Sequence, residues 1–396
     1  MINPQSSPNK FGCSDIWLDV FKDKSEIEKW LFEGLFKAFY KARLGKRGTN
    51  DEQKFEIRLV ENIRLLVMEI MNRSYLPGGG IAFLIRDPVI REIFAAPFRD
   101  RIIHHFLYDQ VADYWDARLI RDCYSCRVGK GTLDGAQRMK SRMQSARDIY
   151  KEPIWVIKLD IQGYFMSLPR EGLFRQVEIG LRDQFLSKKA EKIFLAREKY
   201  AILHFLWERI IFDDPIKWVT KRGNPIEWRD LPRTKSLFDQ PPGFGIVIGN
   251  LSSQLLSNVY LNQFDQFVKG TLGYKHYGRY VDDFYVVVPK SQLTKAKADI
   301  ETFRRFLFGL GLTLHPKKIF IQEARRGVPF LGMVIYPDCI IPGKRIRRNF
   351  KEALRLNQMG VLDETSIISY LGMLKHVNGD TATAKIFSET GLEYNF

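Results

Sequence analysis

Two adjacent carboxylates, Asp282 and Asp283, separate two stretches rich in aromatic and β-branched residues, at 279–281 and 284–288. Such stretches form strands, and a short polar break between them is typical of the turn of a β-hairpin. The sequence therefore predicts a strand–turn–strand unit with both acids at its tip. Aspartate is also frequent in turns for a purely local reason, because its side chain hydrogen-bonds to the neighbouring backbone.

A third acid, Asp160, ends an apolar strand predicted from Trp155 onward. An Asp in this position is often only a turn or helix-cap residue, but beside the hairpin it would supply a third carboxylate. Mg²⁺ prefers oxygen ligands and stays partly hydrated, so a few carboxylates suffice to hold it. Two such ions about 3.5–4 Å apart activate an attacking oxygen and stabilise a leaving group in nucleotidyl transfer.

Phe165 follows Asp160 by five residues. Its ring would lie over the sugar of a nucleotide bound at the acids, where it would clash with a 2′-hydroxyl and select deoxynucleotides. The alternative interpretation of Phe165 is a core aromatic, which is the ordinary place for such a side chain.

The composition is that of a globular protein that attracts polyanions. The chain has 396 residues, enough for two or three subdomains, with 45% hydrophobic and 27% charged residues and a net charge of +16. No apolar run reaches the about 18 residues of a membrane span, and residues 1–7 lack a signal-peptide pattern. We therefore expect a cytoplasmic protein without a membrane partner.

Cysteine usage fits a reducing compartment, since the chain has only four cysteines. Cys123 and Cys126 form a Cys-x-x-Cys pair, but Cys13 and Cys339 stand alone, so a second pair for zinc is missing. We interpret the pair as structural.

Helices and strands alternate along the chain in an irregular order. Helical periodicity predicts two helices between about 25 and 74, one over 91–118, a helical region over 170–211 and an amphipathic helix over 292–310. Short strands are predicted at 81–85, 315–321 and 328–335, and 212–244 is predicted to be irregular.

Three basic segments could contact phosphates. Arg127 and Lys130 lie in a glycine-containing loop at 124–132, where the backbone can approach a ligand closely. Arg99 and Arg101 are interleaved with apolar residues, and 344–355 contains six basic residues and one acid. The last segment is either a basic arm on a duplex or only a charged helix face.

From about residue 40 to 340, the order of these features resembles the reverse transcriptases of bacterial retroelements. The Asp160 strand resembles their first catalytic motif, residues 280–283 resemble the Tyr-x-Asp-Asp box, and residues 330–332 resemble the primer-grip hairpin. The segment 248–254, Ile-Gly-Asn-Leu-Ser-Ser-Gln, resembles a signature of diversity-generating retroelement enzymes and of their relatives in antiphage defence. The segments 91–101 and 125–131 resemble that group as well.

This resemblance implies roles for individual residues. Asp160, Asp282 and Asp283, with the carbonyl of Ile161, would be ligands of two Mg²⁺ ions, for which Mn²⁺ can substitute. Lys318 would donate a proton to departing pyrophosphate, with Lys317 as the alternative. The other implied contacts are to the nucleotide, by Arg127, Lys130, Phe165, Ile248 and Gly249, and to nucleic acid, by Arg99, Arg101, Ser253, Gln254, Lys344, Arg345, Arg347 and Arg348.

Ile248 departs from the pattern of most reverse transcriptases, which have Gln here in a Pro-Gln-Gly loop. An Ile cannot form the polar contact near the nascent base pair that Gln forms, so discrimination between correct and incorrect nucleotides should fall. The resemblance thus implies low-fidelity copying.

The expected fold is α+β: a right-hand polymerase with fingers, a palm made of an antiparallel sheet and helices, and a short helical thumb. The expected regions are an N-terminal helical region and start of the fingers at 1–90, fingers and palm at 91–340, and a basic helical thumb at 341–396. The residues after 340 leave little room for an RNase H, integrase or endonuclease domain.

The expected function is RNA-directed DNA synthesis, in antiphage defence or in a diversity-generating retroelement. The partners would be deoxynucleotides, a dedicated non-coding template RNA, the cDNA product, and an accessory protein or second subunit. An RNA-dependent RNA polymerase and a non-catalytic RNA-binding scaffold are the alternatives.

Overall fold

The computed structural model describes residues 25–46, 48–86, 89–187, 193–377 and 386–388. Cys13, the N-terminal end of the region predicted at 1–90 and much of the predicted thumb beyond 377 lie outside the described residues. Within them the α-helices are α1 (Glu26–Ala42), α2 (Asn50–Ile57), α3 (Leu59–Met71), α4 (Phe98–Asp116), α5 (Thr132–Tyr150), α6 (Tyr164–Ser167), α7 (Arg170–Phe185), α8 (Ile193–Phe212), α9 (Pro225–Arg229), α10 (Leu251–Gln266), α11 (Leu293–Gly309), α12 (Lys344–Gln358) and α13 (Glu364–Leu374).

The strands found in the described residues belong to three separate sheets. They are β1 (Ile81–Ile85), β2 (Arg91–Ala95), β3 (Ile154–Ile161), β4 (Thr220–Lys221), β5 (Tyr277–Tyr280), β6 (Asp283–Pro289), β7 (Leu314–Glu323), β8 (Val328–Phe330), β9 (Met333–Ile335) and β10 (Ile340–Pro342). The sheets have the strand orders β2-β1-β4, β5-β6-β3-β7 and β10-β9-β8.

The four-stranded sheet is antiparallel throughout and carries the predicted acids. Its central strand β3 is buried on both faces. Ile157 belongs to the main core on one side, and Val156 belongs to a second cluster, in which α5 and the β8–β10 region cover the other side. Successive side chains of a strand point to opposite faces. The strand therefore joins two hydrophobic clusters.

Helix α10 lies against this sheet and connects it to α11. The ring of Phe264 in α10 contacts Phe284 of β6 at a centroid distance of 5.0 Å and Phe303 of α11 at 6.0 Å, both edge to face. Aromatic pairs of this geometry stabilise a core beyond the area that they bury. They fix the helix relative to the hairpin that carries Asp283.

The helix predicted over 91–118 is wrong in its first part. Residues Arg91–Ala95 form β2, which pairs antiparallel with β1, and the helix α4 begins only at Phe98. Pro97 explains the boundary, because a residue that precedes proline is kept out of the helical region. The predicted pair of helices at 25–74 is three helices in the structure, because Arg58 leaves helical geometry (φ −120°, ψ 43°) between α2 and α3.

Other sequence predictions are confirmed. The strand at 81–85, the hairpin with acids at its tip and the helix over 292–310 are present as β1, β5–β6 and α11. Helices and antiparallel strands are mixed along the chain, as an α+β fold requires. None of the helices in the described part of the chain is both long and apolar enough to cross a membrane.

The C-terminal helices pack on each other around a small separate core. Phe350 and Leu354 of α12 contact Leu374 of α13, and Ile386 and Phe387 complete the cluster. The basic residues at the start of α12 are exposed: Lys344, Arg345, Arg347 and Arg348.

We predict that Ile157→Ala lowers the free energy of unfolding by about 2–5 kcal/mol, because it removes a fully buried side chain from the central strand and leaves a cavity. Urea unfolding followed by tryptophan fluorescence measures the change. Ile179→Ala is the matched control, since Ile179 is 53% exposed. Equal losses for the two variants would contradict the central place of β3 in the core.

Candidate active site

Strand pairing brings the three predicted acids to one end of the four-stranded sheet. Asp160 of β3 lies directly opposite Asp283 of β6 in the antiparallel register. Asp282 lies in the turn between β5 and β6, and its carbonyl accepts a hydrogen bond from the backbone N–H of Ile161 at 3.1 Å. The hairpin tip is thereby joined to the end of β3, and all three side chains reach the same region.

A cavity of about 610 Å³ opens at this end of the sheet. Seven of the residues predicted to act at the site line it, namely Asp160, Ile161, Phe165, Ile248, Asp282, Asp283 and Lys318. Tyr280, Val281, His315 and Leu331 line it as well. Lys317 does not line it, whereas Lys318 does; the role of Lys318 stays a prediction.

Two lysines neutralise part of the negative charge. The Nζ atom of Lys318 lies 2.7 Å from Oδ2 of Asp160, and Nζ of Lys158 lies 3.6 Å from Oδ2 of Asp283. Lys158 is two residues before Asp160 on the same face of β3 and diagonal to Asp283 across the strand pair. Each of these two carboxylates therefore has a cationic partner.

Burial and mutual repulsion shift the pKa values of two acids. Burial raises the pKa of Asp282 to about 7, and the negative charge of Asp160 contributes to the increase. Burial likewise raises the pKa of Asp283 to about 6, although Lys158 opposes the shift. In a partly buried site with several carboxylates, the pKa values rise because the charged forms lose water and repel each other.

The acids have the chemistry of a divalent-cation site. Among the described residues, no group of three or more His, Cys, Asp or Glu side chains is gathered closely enough to hold an ion as it stands. Oδ1 of Asp283 is nevertheless buried without a hydrogen-bond partner among the described residues, and carboxylate oxygens are the donors that Mg²⁺ prefers. A bound ion would displace the ammonium groups of Lys158 and Lys318.

The segment 245–249 places Ile248 beside Phe165. The backbone N–H of Ile246 donates to the carbonyl of Phe165 in α6 at 2.9 Å, and the N–H of Phe94 in β2 donates to the carbonyl of Ile248 at 2.8 Å. Gly249 has φ +131°, and a Cβ there would lie 2.5 Å from the carbonyl oxygen of Phe94. This glycine therefore allows close packing on β2; its contact with a nucleotide stays a prediction.

Arg127 and Lys130 do not line the cavity. The guanidinium of Arg127 donates to the carboxylate of Asp116 and to the carbonyl of Ile120 at 2.8 Å, which fastens the loop to the end of α4. Lys130 donates to the carbonyl of Arg121 at 3.1 Å. Their contact with a triphosphate stays a prediction, and it would require these side chains to move.

The residues predicted to bind nucleic acid are spread over several regions. Arg99 is paired with Glu69, Arg101 donates to the carbonyl of Ala96 at 3.0 Å, and Ser253 is buried in α10. Gln254 is half-buried in the same helix, whereas the basic residues at the start of α12 are exposed. Their roles are untested predictions.

Two residues of the site region, Lys158 and Ser125, were not predicted from the sequence. Lys158 was signalled only by its spacing of two from Asp160, which puts both side chains on one strand face. Ser125, whose hydroxyl accepts a hydrogen bond from the backbone N–H of Val281 at 3.1 Å, had no local signal, because the partners are far apart in sequence.

Comparison with known proteins gives structural similarities only. No protein-family model matches the chain, and no curated protein is similar to it. Telomerase from Candida albicans, solved with a TWJ fragment of telomeric RNA, is similar at a TM-score of 0.45 and 13% identity, over 81% of this chain and 56% of that chain. Apo telomerase from Candida tropicalis is similar at 0.44 and 14%, over 66% and 47%. The chain thus spans about half the length of these two proteins.

We predict that Asp282→Asn stabilises the metal-free protein at pH 8 by about 1–3 kcal/mol and much less at pH 5. With a folded pKa near 7 against the ordinary 3.8, the folded state binds more protons than the unfolded state between these values, so wild-type stability falls as pH rises through this window. The asparagine side chain cannot ionise, so the variant does not lose stability in this way. The measurement is urea unfolding with a chelator at both pH values.

Asp148→Asn serves as the control for this comparison, because its side chain is 66% exposed and lies away from the cavity. A stabilisation by Asp282→Asn that is equal at pH 5 and pH 8 would contradict a carboxylate whose ionisation opposes folding.

Proposed function

We propose that this chain is an RNA-directed DNA polymerase with a right-hand fold. The observation that carries the proposal is the convergence of Asp160, Asp282 and Asp283 from two separate strands and a turn on one open cavity. Carboxylates in such an arrangement serve chemistry on phosphates, because they can gather divalent cations beside a polyanionic substrate.

We assign the elements around the cavity to the parts of such a polymerase. The four-stranded sheet with α10 and α11 behind it would be the palm, and the β1–β2 pair with the N-terminal helices would belong to the fingers. The turn between β8 and β9 brings Leu331 to the cavity, as a primer-holding hairpin would. Helices α12 and α13 would form the thumb, with exposed basic residues available for a nucleic-acid backbone.

The acids and the carbonyl of Ile161 would hold two Mg²⁺ ions, or Mn²⁺ in their place, which activate the attacking 3′-hydroxyl and stabilise the charge that develops on the transferred phosphate. Lys318 lies at the mouth of the cavity, where its ammonium group can deliver a proton to departing pyrophosphate once it leaves Asp160. Phe165 and Ile248 line the same cavity and would contact the sugar and base of the incoming nucleotide.

The template would be RNA, and the biological setting would be antiphage defence or a diversity-generating retroelement. The net charge of +16 supports binding to a nucleic-acid backbone. Sequencing the DNA made from co-purifying RNA separates the two settings: copies of one RNA with errors at adenine favour diversity generation, and repetitive or untemplated DNA favours defence. A dedicated RNA and an accessory protein or second subunit would complete the system.

We predict that Asp282→Asn with Asp283→Asn abolishes incorporation of labelled deoxynucleotides, because the cation ligands are lost. The assay uses purified protein with its co-purifying nucleic acid and Mg²⁺, and thermal unfolding shows that the variant is folded. Retained synthesis would contradict the assignment of the acids. Incorporation of ribonucleotides at the deoxynucleotide rate would indicate an RNA polymerase, and a wild type inactive with both would favour the RNA-binding scaffold.

We predict that Ile248→Gln lowers the misincorporation frequency, because the amide can hydrogen-bond near the nascent base pair and thus reward correct geometry. The gain should be about tenfold, the size of effect expected of one additional hydrogen bond. Product sequencing on a defined RNA template measures it. Val247→Gln is the neighbouring control, since Val247 does not line this cavity; equal error spectra for wild type and Ile248→Gln would refute the role of Ile248.

A further inference from the structure

Val281, the residue between Tyr280 and the two acids, has a backbone conformation that is unusual for its type. Its φ is +57°, in the left-handed region. Only glycine adopts this region freely, and a β-branched side chain such as valine is a genuine outlier there. Outliers of this kind persist only where surrounding contacts hold them, and they cluster at functional sites.

Two side chains hold the peptide groups on both sides of Val281. Its N–H donates to the hydroxyl of Ser125 at 3.1 Å, and its carbonyl accepts from Nη1 of Arg279 at 2.9 Å. The carbonyl belongs to the peptide that joins Val281 to Asp282. The contact with Arg279 therefore sets the orientation of the peptide from which the Asp282 side chain projects into the cavity.

These two holding residues are themselves fixed by helix α10. Arg279 is fully buried and donates to both carboxylate oxygens of Asp265, at 2.8 and 2.7 Å. The side-chain oxygen of Asn258 accepts from the hydroxyl of Ser125 at 3.0 Å and from Nη1 of Arg279 at 3.3 Å. Because Asp265 and Asn258 lie on one helix, α10 holds both sides of the turn through a single buried network.

We propose that Ser125 and Arg279 are positioning residues for Asp282: they keep Val281 left-handed and so direct the carboxylate into the cavity. The proposal rests on the proposed function, in which Asp282 is a cation ligand. In this proposal the 124–132 loop supports the site through Ser125, although its basic residues Arg127 and Lys130 do not line the cavity. Ser125 acts from inside the protein, on the geometry of the turn, without touching a nucleotide.

A glycine at position 281 distinguishes positioning from simple support of the fold. Glycine adopts φ +57° without steric penalty, so a turn containing it no longer depends on Ser125 to be held. If Ser125 acts through Val281, Val281→Gly should suppress the defect of Ser125→Ala. If Ser125 only stabilises the core, the two changes should act independently, because effects at unconnected sites add.

The experiment compares Ser125→Ala, Val281→Gly and the double variant with wild type in deoxynucleotide incorporation at saturating substrate. We expect Ser125→Ala to lower the rate constant about tenfold to a hundredfold, as displacement of a reacting group does. The double variant should differ from Val281→Gly alone by less than about threefold, within the scatter of uncoupled changes. Ser257→Ala is the matched control, since this hydroxyl is also fully buried but donates within α10, to the carbonyl of Gln254 at 2.8 Å.

A second measurement does not depend on synthesis. The affinity for Mn²⁺, measured by electron paramagnetic resonance, should fall about tenfold in Ser125→Ala and recover in the double variant. A loss of this size is typical when a contact that supports a metal ligand is removed. If the wild type binds Mn²⁺ in this way but incorporates no nucleotide, the proposed function fails while the positioning role stands. Unchanged Mn²⁺ affinity and rate in Ser125→Ala, or a defect that Val281→Gly does not reduce, would overturn the proposal.

Discussion

The buried ion pair between Arg279 and Asp265 is the interaction on which the geometry of the candidate site depends. Both side chains are fully excluded from solvent. Burial alone would lower the pKa of Arg279, but the charge of Asp265 raises it well above its usual value, so Arg279 stays charged. A buried charge is tolerated only where its partner and further hydrogen bonds are in place. The pair therefore fixes α10 against β5, and through β5 the turn that carries Asp282.

Charge compensation explains how three acids can share one end of a sheet. Asp160 and Asp283 are direct neighbours across β3 and β6, so their repulsion would oppose the strand pairing. Lys318 and Lys158 place ammonium groups beside them, so two cations face three carboxylates. Burial, with a smaller contribution from the charge of Asp160, raises the pKa values of Asp282 and Asp283. A divalent cation in this place would supply the remaining positive charge.

Local sequence patterns predict the strand and the hairpin that carry the three acids. They do not predict which contacts the surrounding residues make, because these contacts join residues that are far apart in the sequence. The hairpin around Asp282 and the strand ending at Asp160 follow from alternation and β-propensity, which are local properties. The strand at Arg91–Ala95 was missed because its pairing with β1 depends on a partner before it in the chain. Arg127 was predicted to bind phosphate, but its loop folds back on α4, which no spacing in the sequence reveals.

The two ends of the segment 248–258 have different places in the structure: one lines the cavity, and the other belongs to the network that holds the turn. Ile248 lines the cavity, whereas Ser252 is buried and hydrogen-bonds to His104 at 2.8 Å, and Asn258 holds Ser125 and Arg279. A change at Ile248 would alter the lining of the cavity and leave the turn network intact. A change at Asn258 would disturb the turn without touching a substrate. In the polymerase proposed above, copying accuracy and the geometry of the acids would thus depend on opposite ends of the segment and could vary separately.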